Sequence, residues 1–182
     1  MAFPKAFLIF YFRVGLLLQK GKYRSGPVPK AFKIIPSLPA WARILALTHP
    51  EKWSPQACRA ATRIFVSNMK PPQARVYLQG VVLDSVREDI RENGKLNVHY
   101  YEALKKALYK PGAFFKGIIF PLLEVSACLI VFITNSFEAV KSGCTLKEAA
   151  IIASILAKVR IPLVHSAAAL IRLANMDYSG SF

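Results

Sequence analysis

Prolines divide this chain into short segments of helical periodicity. Pro55 directly follows Ser54, so a capping hydroxyl precedes a proline at the first helical position. The helix that begins there must end before Pro71, because proline lacks a backbone N–H and displaces the preceding residue from the helical region. Pro111 and Pro162 are expected to open later helices in the same way. No alternation of strand period rises above these patterns, which predicts an all-α fold.

Polar caps and a glycine mark further helix ends. Gly94 is expected to stop the helix that follows Pro72, and Asn97 to cap the next one. Thr145 and Glu148 have the spacing of a capping box. Ser37 is expected to cap a helix that continues beyond Trp41. Short turns between such helices favour antiparallel neighbours, either an irregular, solenoid-like repeat or a bundle, and no fixed repeat period is visible.

Helical spacing of apolar residues predicts which side chains are buried. Pro121 is expected to kink the helix that contains it, and Ala167 to Ala169 to allow close packing of the last helix. The predicted buried residues, helix by helix, are Trp41, Ile44, Leu45 and Leu47; Val76, Leu83, Val86 and Ile90; Val98, Tyr101, Leu104 and Leu108; and Phe114, Phe115, Ile118 and Ile119.

Basic residues concentrate between residues 103 and 123, where no acidic residue interrupts the sequence ALKKALYKPGAFFKGIIFPLL. Over the whole chain, 25 Lys and Arg face 10 Asp and Glu, giving a net charge of +15. Such an excess predicts an anionic partner, either a phosphate backbone or an acidic membrane surface. Charge alone does not choose between the two.

Residues 19–36 combine glycine, proline and five basic residues, which predicts an extended basic arm leading into the domain. The arm is either a solvated linker or a strap on RNA. In the second case Arg24, Lys30 and Lys33 would contact phosphates, and Tyr23 or Phe32 would stack or anchor.

Neither membrane insertion nor secretion is expected. The apolar run 6–18 is interrupted by Arg13, and the run 125–137 is shorter than the roughly 20 residues that span a bilayer. The three cysteines are widely spaced, which favours free buried thiols in a reducing compartment over a disulfide framework or a zinc site.

Motifs of enzymes are also missing from the sequence. His49, His99 and His165 lie far apart and outside any HExxH pattern, and neither GxxxxGK[ST] nor GxGxxG occurs. The acidic residues between Asp84 and Glu92 alternate with arginines, as on a solvated helix face. We therefore predict no catalytic residues, no metal and no cofactor.

Four long stretches resemble one known family. They are VPKAFKIIP (28–36), ATRIFVSN (61–68), ALKKALYKPGAFFKGIIFPLLE (103–124) and SGCTLKEAAIIASILAKVRIPLVHSAAALIRLANMDYSG (142–180). In this order they resemble the bystin family, eukaryotic assembly factors of the small ribosomal subunit.

The resemblance implies an all-helical, repeat-like scaffold without catalytic activity. It implies binding to precursor small-subunit rRNA (the 18S precursor), to small nucleolar RNA, to other assembly factors and to small-subunit ribosomal proteins. The expected location is the nucleus and nucleolus, and the cytoplasm on exported precursor particles. The family is also linked to a cell-adhesion complex, so an adaptor at a membrane surface is the alternative.

The chain departs from the family pattern in ways that shape the expected domain organisation. Residues 125–141 are expected to be an atypical insertion, because the family runs almost directly from the leucines before Glu124 to Ser142. Family members also begin with a charged low-complexity region and continue beyond the position of Gly180. We expect an N-terminal extension and basic arm over 1–36 and a truncated bystin-like helical domain over 37–182.

The predicted RNA contacts follow from the basic stretches. The alternative is that these side chains are merely solvated helix faces. In order of preference the residues are Lys105, Lys106, Lys110 and Lys116, then Lys30, Lys33 and Arg63.

Overall fold

The computed structural model of the chain describes residues 4–123 and 145–175. Within those ranges the backbone forms helices and turns, with one isolated bridge between Gln19 and Trp53, which confirms the all-α prediction. The α-helices are α1 (Lys5–Leu18), α2 (Trp41–Leu47), α3 (Pro55–Asn68), α4 (Pro71–Tyr77), α5 (Asp84–Asn93), α6 (Val98–Ala107), α7 (Pro111–Phe114), α8 (Phe120–Leu123), α9 (Leu146–Lys158) and α10 (Leu163–Ala174).

Two continuous helical stretches, which we call the rods 71–93 and 111–123, contain π-helical turns. Leu78–Leu83 joins α4 to α5, and Phe115–Ile119 joins α7 to α8. Short 3-10 helices occupy Lys30–Ser37 and Pro50–Lys52. The second π-helical turn precedes Pro121, so the irregularity of this rod begins before the proline predicted to kink it.

The local signals for helix ends at Ser54, Gly94 and Thr145 are confirmed. The Ser54 hydroxyl accepts a hydrogen bond from the Ala57 N–H at 3.1 Å. Gly94 is left-handed with φ 66° and ends α5. Thr145 and Glu148 form the predicted capping box, with each side chain accepting from the other residue's backbone N–H. These ends were predictable because each depends on atoms a few residues apart.

A column of aromatic rings forms the centre of the core. The rings of Phe32 and Phe65 stack with centroids 5.1 Å apart, Trp53 packs edge-on against Phe32, and Tyr77 packs edge-on against Phe65. Buried polar atoms in the column find partners, since the Tyr77 hydroxyl lies 3.0 Å from the hydroxyl of Thr62. The column joins the 3-10 helix at 30–37 to α3 and α4.

Helices α3 and α6 form the most extensive contact between elements of the described part. Their buried faces carry small residues, among them Ala57, Ala61, Ala103 and Ala107, each at most 1% exposed. Small side chains let the two backbones approach closely. The packing of α3 on α6 fixes the positions of the basic residues that both helices carry.

Two glycines are required by close helix contacts. A Cβ atom added at Gly15 in α1 would lie 2.4 Å from the carbonyl oxygen of Thr48, and one added at Gly117 would lie 2.8 Å from the carbonyl oxygen of Arg75. Both distances are shorter than a Cβ atom tolerates. The rod 111–123 therefore packs directly on the backbone of α4.

Several predicted details are wrong. Ser37 ends the 3-10 helix, and α2 begins only at Trp41 after Ala40. Val76 and Val98 are 56% and 68% exposed, although both were predicted to be buried. In α6 the buried face is centred on Tyr100 instead, because the close contact with α3 selects the face rich in alanine.

The N-terminal segments pack into the same core as the later helices. Tyr11, Val14 and Leu18 of α1 are buried. Residues 30–36, predicted to be part of an extended arm, lie in a 3-10 helix that buries Phe32 and Ile35 completely, because Phe32 packs in the aromatic column and Ile35 in the core around it.

The C-terminal helices complete the described structure. The Arg87 guanidinium in α5 donates to the Glu148 carboxylate at 3.0 Å and so attaches α9. In α10, Ala169 is buried but Ala167 and Ala168 are exposed, so the prediction of close packing holds for one alanine of three. The expected insertion at 125–141 lies outside the described residues. None of the described helices combines the length and apolarity needed to cross a bilayer.

Candidate nucleic-acid interface

An open groove of about 590 Å³ lies between residues 23–33, the outer face of α3 and the first turn of α6. Its lining contains four cationic side chains and no carboxylate. The residues that form the groove are Tyr23, Arg24, Ser25, Gly26, Val28, Lys33, Gln56, Arg59, Ala60, Arg63, Ile64, Asn68 and His99. We call this the basic groove.

Helical spacing explains why α3 contributes so much of the lining. Gln56, Arg59 and Arg63 recur at intervals of three and four residues and therefore share one face of the helix, while Asn68 lines the groove from the last position of α3. The opposite face carries Phe65 and the small residues packed on α6. The basic groove thus lies on the solvent side of α3, whose contact with α6 is the most extensive in the described part.

The cations of the basic groove differ in whether a carboxylate forms a salt bridge with them. Arg59 pairs with Glu102 at 2.6 Å. Arg24, Lys33 and Arg63 are exposed, and within the described ranges no carboxylate lies at salt-bridge distance from any of the three. Three positive charges around one concavity, without a carboxylate partner among residues 4–123 and 145–175, favour binding of an anion.

Two ring side chains line the same space. Tyr23 is half-buried, packs against the core, and donates its hydroxyl proton to the Gly26 carbonyl at 2.5 Å. His99 at the start of α6 has its Nδ1 atom shielded from solvent, without a hydrogen-bond partner among residues 4–123 and 145–175. A shielded polar atom of this kind is uncommon in folded proteins and needs a physical explanation.

The last turn of α6 and the rod that follows carry a second cationic surface. Lys105 and Lys116 are exposed, and Lys106 is half-buried with its ammonium 4.8 Å from the ring centre of Tyr109. A hydrogen bond with Ser154, together with the ammonium groups of Lys158 and Lys105, lowers the pKa of Tyr101. We call Lys105, Lys106, Lys110 and Lys116 the lysine surface.

Lys110 has a structural contact that the other three lysines do not show in the described part. Its ammonium donates to the carbonyl oxygen of Met69, in the turn between α3 and α4. Burial lowers the pKa of Lys110. This lysine therefore ties the α3–α4 turn to the α6–α7 turn, and its replacement would disturb packing as well as charge.

The structure brings only part of the predicted set together. Lys33 and Arg63 line the basic groove beside Arg24, whereas Lys30 is exposed but lies outside its lining. Stacking of RNA on Phe32 is excluded, because this side chain is fully buried between Trp53 and Phe65.

Among the cationic and ring side chains of the basic groove, sequence reasoning missed Arg59 and His99. The spacing of Arg59 to Arg63 on one helix face was a usable signal for the first. Nothing local could have found His99, because it reaches the groove only through the packing of α6 on α3.

The buried polar groups of α3 serve the core. Burial raises the pKa of the Cys58 thiol to about 12, and the hydrogen bond with Thr62 lowers it only in part. Thr62 donates to the Cys58 carbonyl at 2.8 Å and meets the Tyr77 hydroxyl. A thiol with so high a pKa is a poor nucleophile at neutral pH. In the described part of the chain, no group of three or more His, Cys, Asp or Glu residues could hold a metal ion.

A helical frame that carries an open cationic groove and further lysines, of which Lys105 and Lys116 are exposed, has the features of a scaffold for an anionic partner. Comparison with known proteins gives the family. The chain belongs to the Bystin family, whose family model matches residues 1–134 and 136–182. Bystin is not a known enzyme family.

Individual relatives agree with this assignment. The chain is 49% identical to bystin of Homo sapiens over 160 residues, which is 88% of this chain and 33% of the relative. It is 50% identical to bystin of Arabidopsis thaliana over 161 residues, 88% of this chain and 32% of the relative. A protein of Schizosaccharomyces pombe is 54% identical over 178 residues, 98% of this chain and 35% of the relative. The chain thus spans about a third of the length of these relatives.

Proposed function

We propose that this chain is part of a non-enzymatic ribosome-biogenesis factor that binds precursor small-subunit rRNA and other assembly factors during maturation of the small subunit. Small-subunit ribosomal proteins are further partners in this proposal. Its location is the nucleus and nucleolus, and the cytoplasm on exported precursor particles.

The observation that carries the proposal is the arrangement of exposed cations at both ends of α6. The basic groove borders the first turn of this helix, and the lysine surface begins in its last turn. Lys and Arg side chains that contact phosphates fix the position of a protein on a nucleic acid and supply most of its sequence-independent affinity. A net charge of +15 on 182 residues supports the same reading.

Retention on RNA tests the proposal. The full chain should bind a folded fragment of small-subunit precursor rRNA, and log affinity should fall linearly with log salt concentration because counterions are released. Yeast transfer RNA at equal nucleotide concentration measures the binding that any structured RNA would give. An affinity for precursor rRNA that is absent, or that does not change with salt, would contradict the proposal.

An adaptor at a membrane surface or in a cell-adhesion complex is the second candidate. Exposed apolar side chains on α10 favour it, since Leu163, Val164, Leu170 and Ile171 are between 64% and 82% exposed. An interfacial helix needs apolar side chains of this kind together with basic residues. Sedimentation with vesicles containing phosphatidylserine, at a salt concentration that permits RNA binding, separates the candidates: the first predicts that the protein stays in solution.

A further inference from the structure

We infer that the basic groove binds a single-stranded RNA segment, with phosphates on Arg24, Lys33 and Arg63 and one base against Tyr23 and His99. This inference rests on the proposed function, and it names the form of RNA and the place where it binds. It goes beyond the residues expected from the sequence, because His99 and the face of α3 enter only through the fold.

The dimensions of the basic groove favour an extended strand over a single phosphate. Its volume is about 590 Å³, far more than one anion fills. The lining residues of α3 run from Gln56 to Asn68, which at 1.5 Å per residue is roughly 18 Å along the helix. Arg24 precedes the 3-10 helix, Lys33 lies in it and Arg63 lies on α3, so the three proposed phosphate contacts come from separate parts of the lining. An elongated site with separated cations suits several successive phosphates.

The side chains between the cations favour a nucleic acid over another polyanion. The basic groove contains two rings, Tyr23 and His99, and two carboxamides, Gln56 and Asn68. Single-stranded binding sites combine a cationic track with rings on which bases stack, and amides hydrogen-bond to base edges. An acidic peptide would use the cations but would leave the rings and amides without a role.

Accessible bases are needed for such contacts, which excludes a regular duplex. In an A-form helix the bases are paired and the deep major groove does not admit side chains. Tyr23 and His99 line the same groove, so an unpaired base on the Tyr23 ring would share this space with the His99 ring.

Tyr23 provides the test of stacking. The probe is an unpaired, fluorescein-labelled RNA of eight nucleotides, and binding to the full chain is followed by anisotropy. Stacking on an aromatic side chain is worth enough that Tyr23→Leu should weaken binding about 5- to 150-fold. Tyr23→Phe keeps the ring and loses only the hydrogen bond to Gly26, so it should bind like the wild type. Equal affinities of the Leu and Phe variants would overturn the stacking role.

Arg63 provides the test of the phosphate track. Arg63→Gln should lower the slope of log affinity against log salt by about 0.7, the value for one phosphate contact on a single strand. The matched control is Arg91→Gln, which removes another exposed arginine from a helix outside the basic groove. If Arg63→Gln and Arg91→Gln lower the slope of log affinity against log salt equally, the inference is overturned. Circular dichroism checks that each variant retains its helices.

Two further outcomes separate this inference from the proposed function. If the groove variants bind the octanucleotide like the wild type while precursor rRNA is still bound with a normal salt slope, the inference fails and the proposed function stands. If an oligoglutamate of equal charge binds as tightly as the octanucleotide, and loses affinity equally with Arg63→Gln, the basic groove is a site for an acidic protein segment and the inference fails.

Discussion

Two glycines in similar π-helical turns should respond to alanine in opposite directions. A Cβ atom at Gly117 would lie 2.8 Å from the carbonyl oxygen of Arg75 and 3.3 Å from the Cβ of Leu78, whereas one at Gly80 would meet nothing within 4 Å. The Arg75 oxygen belongs to the backbone of α4 and cannot rotate away. Gly117→Ala must therefore push one helical rod off the other, while Gly80→Ala adds a methyl group in open space.

The magnitude follows from two opposing terms. Alanine in place of a helical glycine stabilises by about 0.5 to 1 kcal/mol, and this term is common to both variants. Overpacking at a tight contact costs about 1 to 3 kcal/mol and applies only to Gly117. Since the shared term cancels, the free energies of unfolding of the two variants should differ by about 1 to 3 kcal/mol. Gly80→Ala should be more stable than the wild type.

Urea denaturation followed by circular dichroism at 222 nm measures this difference. With a slope of about 2 kcal/mol per molar urea, the two midpoints should lie about 0.5 to 1.5 M apart, with Gly80→Ala higher. Equal midpoints, or a higher midpoint for Gly117→Ala, would refute the packing of the rod 111–123 on α4.

Two other predictions concern the attachment of α9 and the core of α3. Arg87→Ala should lower the free energy of unfolding by about 2 to 3 kcal/mol, because it leaves the Glu148 carboxylate, whose side chain is only 8% exposed, without the Arg87 cation. The control Arg91→Ala should cost less than about 0.5 kcal/mol. Equal thermal midpoints for the two variants would contradict the pairing of Arg87 with Glu148. Cys58, in a chain whose other two cysteines are serine, should resist thiol reagents at pH 8 until urea unfolds the protein, and rapid labelling of the native state would contradict its burial. The protonated thiol is favoured in the folded state, so this group's contribution to stability is complete below the unfolded pKa of about 8.5 and is lost as the pH rises towards 12.

Much of the helical framework could be predicted because its signals are local. Ser54, Gly94, Thr145 and Pro111 act on backbone atoms within a turn, so their effects can be derived without knowing the fold. The buried face of α6 could not be chosen in this way. Both Val98 and Tyr100 start a row of residues at helical spacing, and only the close contact with the alanine-rich face of α3 selects the row of Tyr100.

The candidate site was predictable only in part for the same reason. Charge density pointed to lysines and arginines, and three of the expected residues, Arg24, Lys33 and Arg63, do line one groove. Phe32 was one of two aromatic residues, with Tyr23, expected to stack on RNA or to anchor the arm if the arm binds RNA. Its burial depends on Trp53 and Phe65, which lie 21 and 33 residues further along the chain.

The salt dependence of RNA binding tests the central claim most directly. Glutamine at Lys105, Lys106 and Lys116 removes three cations of the lysine surface and leaves Lys110, whose contact with Met69 is structural. The control, with the same net charge, replaces three exposed lysines elsewhere: Lys5, Lys52 and Lys95. If the chain is an rRNA-binding scaffold, the slope of log affinity for precursor rRNA against log salt should fall by about 2 to 3 in the first variant and by less than 1 in the control. Equal slopes for the wild type and the first variant would contradict the account.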